Sequence, residues 1–355
     1  MDYIQKPASR FRMTPIIQTH QLSVGYKSGS QTRTIITSLD IAVSRGELIG
    51  IIGQNGIGKS TLLRTIARLQ EPLNGKVTIY GQTIDSFSRN EFAQKVSFVS
   101  TEIVKLNHCT VRQLVSFGRS PYTNWFGQLS SNDEALVSEA IEMVGLTSLA
   151  GRYINEISDG ERQRVMIART LAQDTDIIIL DEPTAFLDMP NKYEVIHLLS
   201  ELTRKKKKTI LFTSHDLNIA MREADRLWLI TPEKFLDGAP EDLVLQHAIS
   251  NLFDETRLKF DSRKGEFSIR RKPIGSCKLV GKGTAHIWTK KALERLGYDT
   301  ENETYSIEIT VEEKAGTTCW HLIQEDDTQT FNSIYAMAGY LKEMFSNRNT
   351  NSGLG

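Results

Sequence analysis

The stretch that most limits what this chain can fold into is Gly53-Gln54-Asn55-Gly56-Ile57-Gly58-Lys59-Ser60. Before it comes Glu47-Leu48-Ile49-Gly50-Ile51-Ile52, a short apolar run ending at a glycine; after it, Leu62, Leu63, Ile66 and Leu69 mark one face of a helix over Lys59 to Leu69. The spacing predicts a buried parallel strand, a tight loop and a helix in immediate succession. In that context the loop matches the P-loop pattern in full. Its glycines let the backbone wrap a phosphate with N–H groups turned inward, where side chains would obstruct the nest. Lys59 is expected to bind the β- and γ-phosphates of a nucleotide, and the Ser60 hydroxyl to coordinate Mg²⁺.

A second strand supplies the other half of such a site. Asp176-Ile177-Ile178-Ile179-Leu180 delivers Asp181 and Glu182 to its carboxyl end, where ligands of open α/β sheets bind. Asp181 is expected to help hold Mg²⁺, and Glu182 to orient or deprotonate the water that attacks the γ-phosphate. Further strands are predicted at Ile16 to Gly25, Thr34 to Val43, Lys95 to Val99, Thr209 to Phe212 and Arg226 to Ile230. The pattern over about 90–174 is mainly helical, carried by Val111, Leu114 and Val115 and then by Leu136, Val137, Ala140, Ile141 and Val144. Such alternation predicts an α/β fold with a mostly parallel core sheet, helices on its faces and a helical insert.

Within that insert, Glu156-Ile157-Ser158-Asp159-Gly160-Glu161-Arg162-Gln163-Arg164 opens a helix on which Val165, Ile167, Ala168 and Leu171 recur at helical spacing. Its start is polar and contains a glycine. Ser158 is a good N-cap, which alone explains many such stretches, while exposed N–H groups at a helix start also bind anions.

With these motifs in this order, the chain resembles the ATPase subunits of ATP-binding-cassette (ABC) transporters over about residues 16–271. The resemblance implies a P-loop NTPase cassette with an antiparallel N-terminal β part and a helical subdomain at about 90–174. Ser158 to Gln163 takes the place of the family signature, written LSGGQ, with Ile157 for Leu, Asp159 for the first glycine and Glu161 for Gln. In the family this helix start binds the γ-phosphate of ATP held by the P-loop of a second copy, which carries that role over to Ser158, Gly160 and Glu161. The Asp159 carboxylate is then expected to point away from the nucleotide. Tyr26 resembles the aromatic residue that stacks on adenine, Phe186-Leu187-Asp188 the D-loop, and His215 in Thr213-Ser214-His215-Asp216 the switch histidine that contacts the γ-phosphate. The implied nucleotide set in one copy is Tyr26, Gly53, Gln54, Asn55, Gly56, Ile57, Gly58, Lys59, Ser60 and Thr61, with Lys59, Glu182 and His215 catalytic.

One position departs from the family. The glutamine that normally follows the strand entering the helical insert is missing from Ser100-Thr101-Glu102; Thr101 aligns with it as a metal-contacting residue, and Glu102 is the alternative. The segment Thr110 to Tyr122 is similar to the corresponding stretch in ATPases for ferric-siderophore, haem and vitamin B12 import. The resemblance therefore implies ATP and Mg²⁺ as cofactors, a second ATPase copy as in a homodimer, integral-membrane permease subunits and, indirectly, a substrate-binding protein, at the cytoplasmic face of the membrane. The rival readings are an exporter subunit or a soluble cassette ATPase of translation or repair. Translation types carry two cassettes and repair types long heptad arms; this chain has one P-loop and no sustained heptads between Ser60 and Ser158.

Composition narrows the partners. Forty-three basic residues balance forty-three acidic ones, which argues against broad nucleic-acid binding, and Lys205-Lys206-Lys207-Lys208 reads as a solvated turn. Cys109, Cys277 and Cys319 are sparse and odd in number, as reduced thiols of a cytoplasmic protein are. The stretch MDYIQKPASRFRMTP lacks the apolar core of a signal peptide, and no segment approaches the ~18 apolar residues of a membrane helix.

Past Lys272-Pro273-Ile274-Gly275 a small α+β domain is expected over residues 275–346, outside the resemblance. Its predicted order is strand (Cys277 to Val280), helix (Thr289 to Leu296), two strands (Ser306 to Glu312, Thr318 to Gln324) and helix (Asn332 to Phe345), with fraying expected from Asn347. Cys319 and His321 would project from one strand face, and with Cys277 and His286 they raise the question of a metal or haem site. The spacing of Cys277 and His286 fits no zinc pattern, so packing is the expected role, in a regulatory or interaction module.

Overall fold

The structure, a computed structural model, describes residues 14–28, 31–100, 108–124, 126–253, 257–263, 265–302, 304–314, 317–325 and 327–351. β1 (Ile17–Ser28) pairs antiparallel with β2 (Gln31–Leu39) and β3 (Ala42–Val43). Its buried residues Thr19 and Leu22 are out of strict alternation because Gln21 adopts a positive φ of 46° and the register shifts there, so that both side chains still reach the core. The single strand expected from Thr34 to Val43 is broken at Asp40, whose carboxylate accepts the Gln21 N–H at 2.7 Å.

β4 (Leu48–Gly53) runs through the glycine-rich loop into α1 (Lys59–Ile66). α1 is shorter than its apolar face suggested. Arg68 turns left-handed, and the Leu69 N–H closes onto the Arg64 carbonyl at 2.8 Å, leaving Leu69 exposed. β5 (Asn74–Ile79) and β6 (Gln82–Thr83) complete an antiparallel sheet ordered β2-β1-β5-β6.

After α2 (Arg89–Ala93), β7 (Val96–Val99) forms the edge of a second sheet, so the mainly helical stretch contains one core strand. Three helices follow, α3 (Val111–Ser116), α4 (Ser131–Met143) and α5 (Asp159–Ala172), each packed on the other two. A buried ion pair at 2.8 Å, Arg119 with Asp133, ties the start of α4 to the end of α5, because Arg119 also donates to the Ala172 carbonyl at 2.8 Å. Ser130 and Arg119 hold the Asp133 carboxyl down to about 2.

The chain then alternates through β8 (Ile177–Leu180), α6 (Met189–Lys206), β9 (Thr209–Thr213), α7 (Leu217–Glu223), β10 (Arg226–Ile230) and β11 (Phe235–Gly238), and ends this region with α8 (Pro240–Leu245) and α9 (Ala248–Asn251). The second sheet is ordered β11-β10-β4-β9-β8-β7 and is parallel apart from β11. Its central strands are buried along their length, as continuous Ile, Leu and Phe runs require. α1 lies between the sheets, with Leu62, Leu63 and Ile66 fully buried. The basic run is less free than expected: Lys205 pairs with Glu201, Lys206 with Glu139 and Lys208 with Asp174, while Lys207 ends α6 in a left-handed conformation.

The chain divides into two units, the described parts of Met1–Leu252 with Phe260–Glu266, and of Phe253–Lys259 with Phe267–Gly355. A hairpin, β12 (Leu258–Asp261) with β13 (Glu266–Ile269), lies where they meet in sequence. The second unit contains β14 (Gly275–Val280), α10 (Gly283–Leu296), β15 (Tyr298–Asp299), β16 (Ile307–Lys314), β17 (Thr317–Gln324), β18 (Asp327–Phe331) and α11 (Ile334–Asn351). Its sheet runs β15-β14-β16-β17-β18, and α10 and α11 pack together over a core containing Cys277, Leu293, Ile309, Trp320, Leu322 and Met337. β15 and β18 were not expected: one is two residues long, the other a polar edge without apolar alternation. α10 begins well before Thr289, in a turn whose Ile287 and Trp288 are exposed, and α11 continues to Asn351, past the Asn347 at which fraying was expected. Among the described residues no helix is long and apolar enough to cross a membrane.

Candidate functional site

The loop between β4 and α1 is shaped by backbone that only glycine adopts freely. Gly58, the N-cap of α1, has φ 107°, and a Cβ there would stand 2.3 Å from Ile35 Cγ2. Gly56, at φ 77°, opens on space, with nothing within 4 Å of where its Cβ would be. α1 has no side-chain cap, so the first-turn N–H groups stand available to a ligand. Lys59 is 5% exposed; its Nζ donates to the Gly53 carbonyl at 2.9 Å and the Gln54 carbonyl at 3.2 Å. Burial lowers its pKa, against the pull of Glu182 and Asp181. A desolvated ammonium resting on two carbonyls beside an open helix start is fitted to an anion such as a phosphate. Gln54 and Asn55 are exposed on the loop, and the Ile57 N–H donates back to the Gln54 carbonyl at 3.3 Å.

The carboxylates arrive from the next strands. Asp181, buried at the end of β8, has its N–H on the Val99 carbonyl at 2.9 Å; its Oδ1 accepts the Ser60 hydroxyl at 2.9 Å and the Thr213 hydroxyl at 2.8 Å. Glu182 sits in the left-handed region at φ 52°. Its N–H donates to Thr213 Oγ1 at 2.7 Å, and its Oε1 lies 2.5 Å from His215 Nε2. Because β9 lies between β4 and β8, the ends of three adjacent parallel strands bring Lys59, Ser60, Asp181, Glu182 and His215 together.

Tyr26 approaches α1 from β1. Its hydroxyl hydrogen-bonds the Thr61 hydroxyl at 2.6 Å while half the residue stays exposed, so the ring is anchored at one end and open on its surface.

The start of α5 is built differently. Ser158 and Glu161 form a reciprocal capping box: the Glu161 N–H donates to Ser158 Oγ at 3.2 Å, and the Ser158 N–H and hydroxyl donate to Glu161 Oε2 at 2.8 and 2.9 Å. These bonds hold the Glu161 carboxyl below its ordinary range. A Cβ on Gly160 would meet Leu187 of the Phe186-Leu187-Asp188 loop at 3.3 Å. Asp159 accepts from Arg162 at 2.8 Å. α5 packs on α3, α4 and β7, whereas α1 packs on β1, β4 and β9.

Ser60 and Asp181 place a hydroxyl and a carboxylate oxygen side by side, a donor set suited to Mg²⁺, which takes few protein ligands and completes its shell with water and phosphate oxygens. Among the described residues no group of three or more His, Cys, Asp or Glu is arranged to hold a metal by itself. Thr101 and Glu102 lie outside the described residues. In the second unit Cys277 is in the core, its thiol pushed up to about 12 by burial, while Cys319 is only partly covered. His321 bonds Thr330 at 3.0 Å and lies 3.6 Å from Glu312.

Thr213 is the residue sequence reasoning missed. It opens the switch-histidine motif with no role assigned, yet its hydroxyl donates to the Asp181 carboxylate and accepts the Glu182 backbone N–H, fixing one carboxylate directly and the main chain that carries the other. A hydroxyl closing an otherwise apolar strand was the available signal; its partners depend on β8 lying beside β9.

Residues 36–185 match a family described as ABC transporter, and residues 275–342 one described as iron ABC transporter C-terminal domain. The achromobactin transport ATP-binding protein of Dickeya dadantii is 42% identical over 239 residues, covering 67% of this chain and 87% of that relative. The ferric enterobactin transport ATP-binding protein of Escherichia coli is 36% identical over 238 residues, covering 67% and 86%. Among solved structures the chain is similar to an inward-facing metal-chelate type ABC transporter, with TM-score 0.59 and 27% identity over 72% of this chain and 95% of that one. It is also similar to a dimeric ATP-binding cassette bound to ADP and phosphate, with TM-score 0.57 and 25% identity over 63% and 98%.

Proposed function

The chain belongs to the ABC transporter family as one of its ATP-binding subunits, and we propose that it energises import of an iron chelate, a ferric siderophore, through separate integral-membrane permease subunits. The observation that carries this reading is the pairing, in one chain, of the cassette with a C-terminal region matching an iron ABC transporter domain. The names of the relatives, which include achromobactin and ferric enterobactin transport, support the same cargo class. The subunit works at the cytoplasmic face of the membrane as two identical copies, with cargo reaching the permease through a substrate-binding protein.

Each ATP lies between the P-loop of one copy and the signature helix of the other. Its adenine stacks on Tyr26, which Thr61 holds at the hydroxyl. The N–H groups of Gly53 to Ser60 cradle its phosphates, and Lys59 leaves the Gly53 and Gln54 carbonyls for the β- and γ-oxygens. Ser60 and Asp181 are the residues that would hold Mg²⁺, which supplies charge neutralisation at those oxygens. Glu182, aimed by Thr213, orients the water for in-line attack, and His215 exchanges its bond to Glu182 for one to the γ-phosphate. Ser158, Gly160 and Glu161 complete the site of the other copy. Little covalent chemistry falls to the protein, so electrostatic stabilisation does most of the catalysis.

Uptake of a ferric siderophore, haem and cobalamin, measured side by side in source cells carrying Lys59→Ala, tests the proposal. Loss of siderophore uptake alone is expected. Undiminished uptake of all three, with no redundant transporter present, overturns import.

A further inference from the structure

The first turn of α5 carries two carboxylates, Asp159 and Glu161, where a phosphate of a second copy is to dock. Acidic residues stabilise a helix start through the helix dipole, and by the same charge they oppose an incoming anion. The two are managed differently. Glu161 is occupied by the Ser158 N–H and hydroxyl. Asp159 takes no part in the capping box; its carboxylate, 63% exposed, is engaged by the Arg162 guanidinium at 2.8 Å.

Arg162 is well placed to act as a fixed anchor. Its side chain is largely buried, and its Nη2 donates to the Ile154 carbonyl at 3.4 Å and the Ile157 carbonyl at 3.3 Å, in the segment just before the helix. The guanidinium is thus held to main chain through Nη2 and to Asp159 through Nη1. We propose that Arg162 is a positioning residue of the signature helix, which neutralises Asp159 and draws its carboxylate off the approach of the second copy's γ-phosphate. An aspartate in place of the first signature glycine is compatible with phosphate docking because this arginine stands one turn later. The proposal rests on the reading that Ser158 and Gly160 meet the ATP of a second copy.

The test is ATP-induced dimerisation of the full chain carrying Glu182→Gln to stall hydrolysis, followed by analytical ultracentrifugation against ATP concentration. Arg162→Ala is expected to raise the ATP needed for half-dimerisation about tenfold, because a freed carboxylate faces the phosphate. Adding Asp159→Gly to Arg162→Ala restores the parent's requirement. If the double variant stays as weak as Arg162→Ala, Arg162 is only a tie to the Ile154 and Ile157 carbonyls and the proposal is overturned, as it is if Arg162→Ala changes nothing. Should Arg162→Ala not fold, Arg162→Gln, which keeps donors for those carbonyls and loses the charge, is read in the same way. Gly160→Asp in the same background must abolish dimerisation. A dimer that persists there, or a parent that stays monomeric at saturating ATP, refutes the two-copy reading rather than the role of Arg162.

Discussion

The starts of α1 and α5 both present a glycine-containing helix N-terminus, and they are finished in opposite ways. α1 begins at a left-handed glycine with no side-chain cap and no acidic residue in its first turn; α5 begins at a serine inside a full capping box with two acidic residues. An uncapped start costs stability, and α1 offsets it through Leu62, Leu63 and Ile66, all fully buried between the sheets. α5 is stabilised locally, by its own side chains. The difference fits the proposed function, in which α1 keeps its donors open for the phosphates of its own ATP and α5 exchanges an internal partner for a phosphate from the other copy.

If that comparison is right, the largest effect belongs to Lys59→Ala. ATP hydrolysis measured by phosphate release should fall by about 10³-fold, while thermal stability holds or rises because a desolvated ammonium has gone. A comparable loss of stability would make Lys59 part of the scaffold and weaken the contrast. Gly58→Ala should destabilise the fold by about 3 kcal/mol in denaturant unfolding, from the strained φ and the Ile35 contact together.

Thr213→Val removes the hydroxyl that holds the Asp181 carboxylate and the Glu182 main chain. Hydrolysis is expected to drop about 10²-fold at saturating ATP with nucleotide affinity largely kept, and Thr213→Ser should recover most of it. An equal loss from the serine variant would point to packing of the strand end instead. The smallest effect is that of Ser158→Ala on the isolated subunit, about 1 kcal/mol of stability from the lost cap. A change near zero in that measurement would mean that α5, like α1, depends on its packing rather than its cap.

Legibility in the sequence followed the range of the interaction. The strand, loop and helix around Lys59 could be read because a continuous apolar run, a glycine-rich loop and a one-faced helix occupy adjacent residues. The N-cap at Ser158 could be read for the same reason. Where several weak local preferences competed, boundaries moved: α1 stops at Ile66 because Arg68 turns left-handed, and a bulge at Gln21 resets the phase of β1. In the second unit β18 carries almost no apolar signal, since an exposed edge strand is held by pairing with β17 rather than by burial.

By itself the sequence determined which chemical groups the chain carries and the local frame of each: lysine and serine at a helix start, two carboxylates after one strand, a histidine after another. Tertiary structure decided which of them meet. Strand order places β9 between β4 and β8, and only that order puts the Thr213 hydroxyl on Asp181 and Glu182, the Ser60 hydroxyl on Asp181 and His215 on Glu182. It also placed Cys277 in a core while Cys319 and His321 remained partly exposed. The physical reason is that periodicity records which face of an element is buried, whereas the neighbour that buries it is selected by packing over the whole chain.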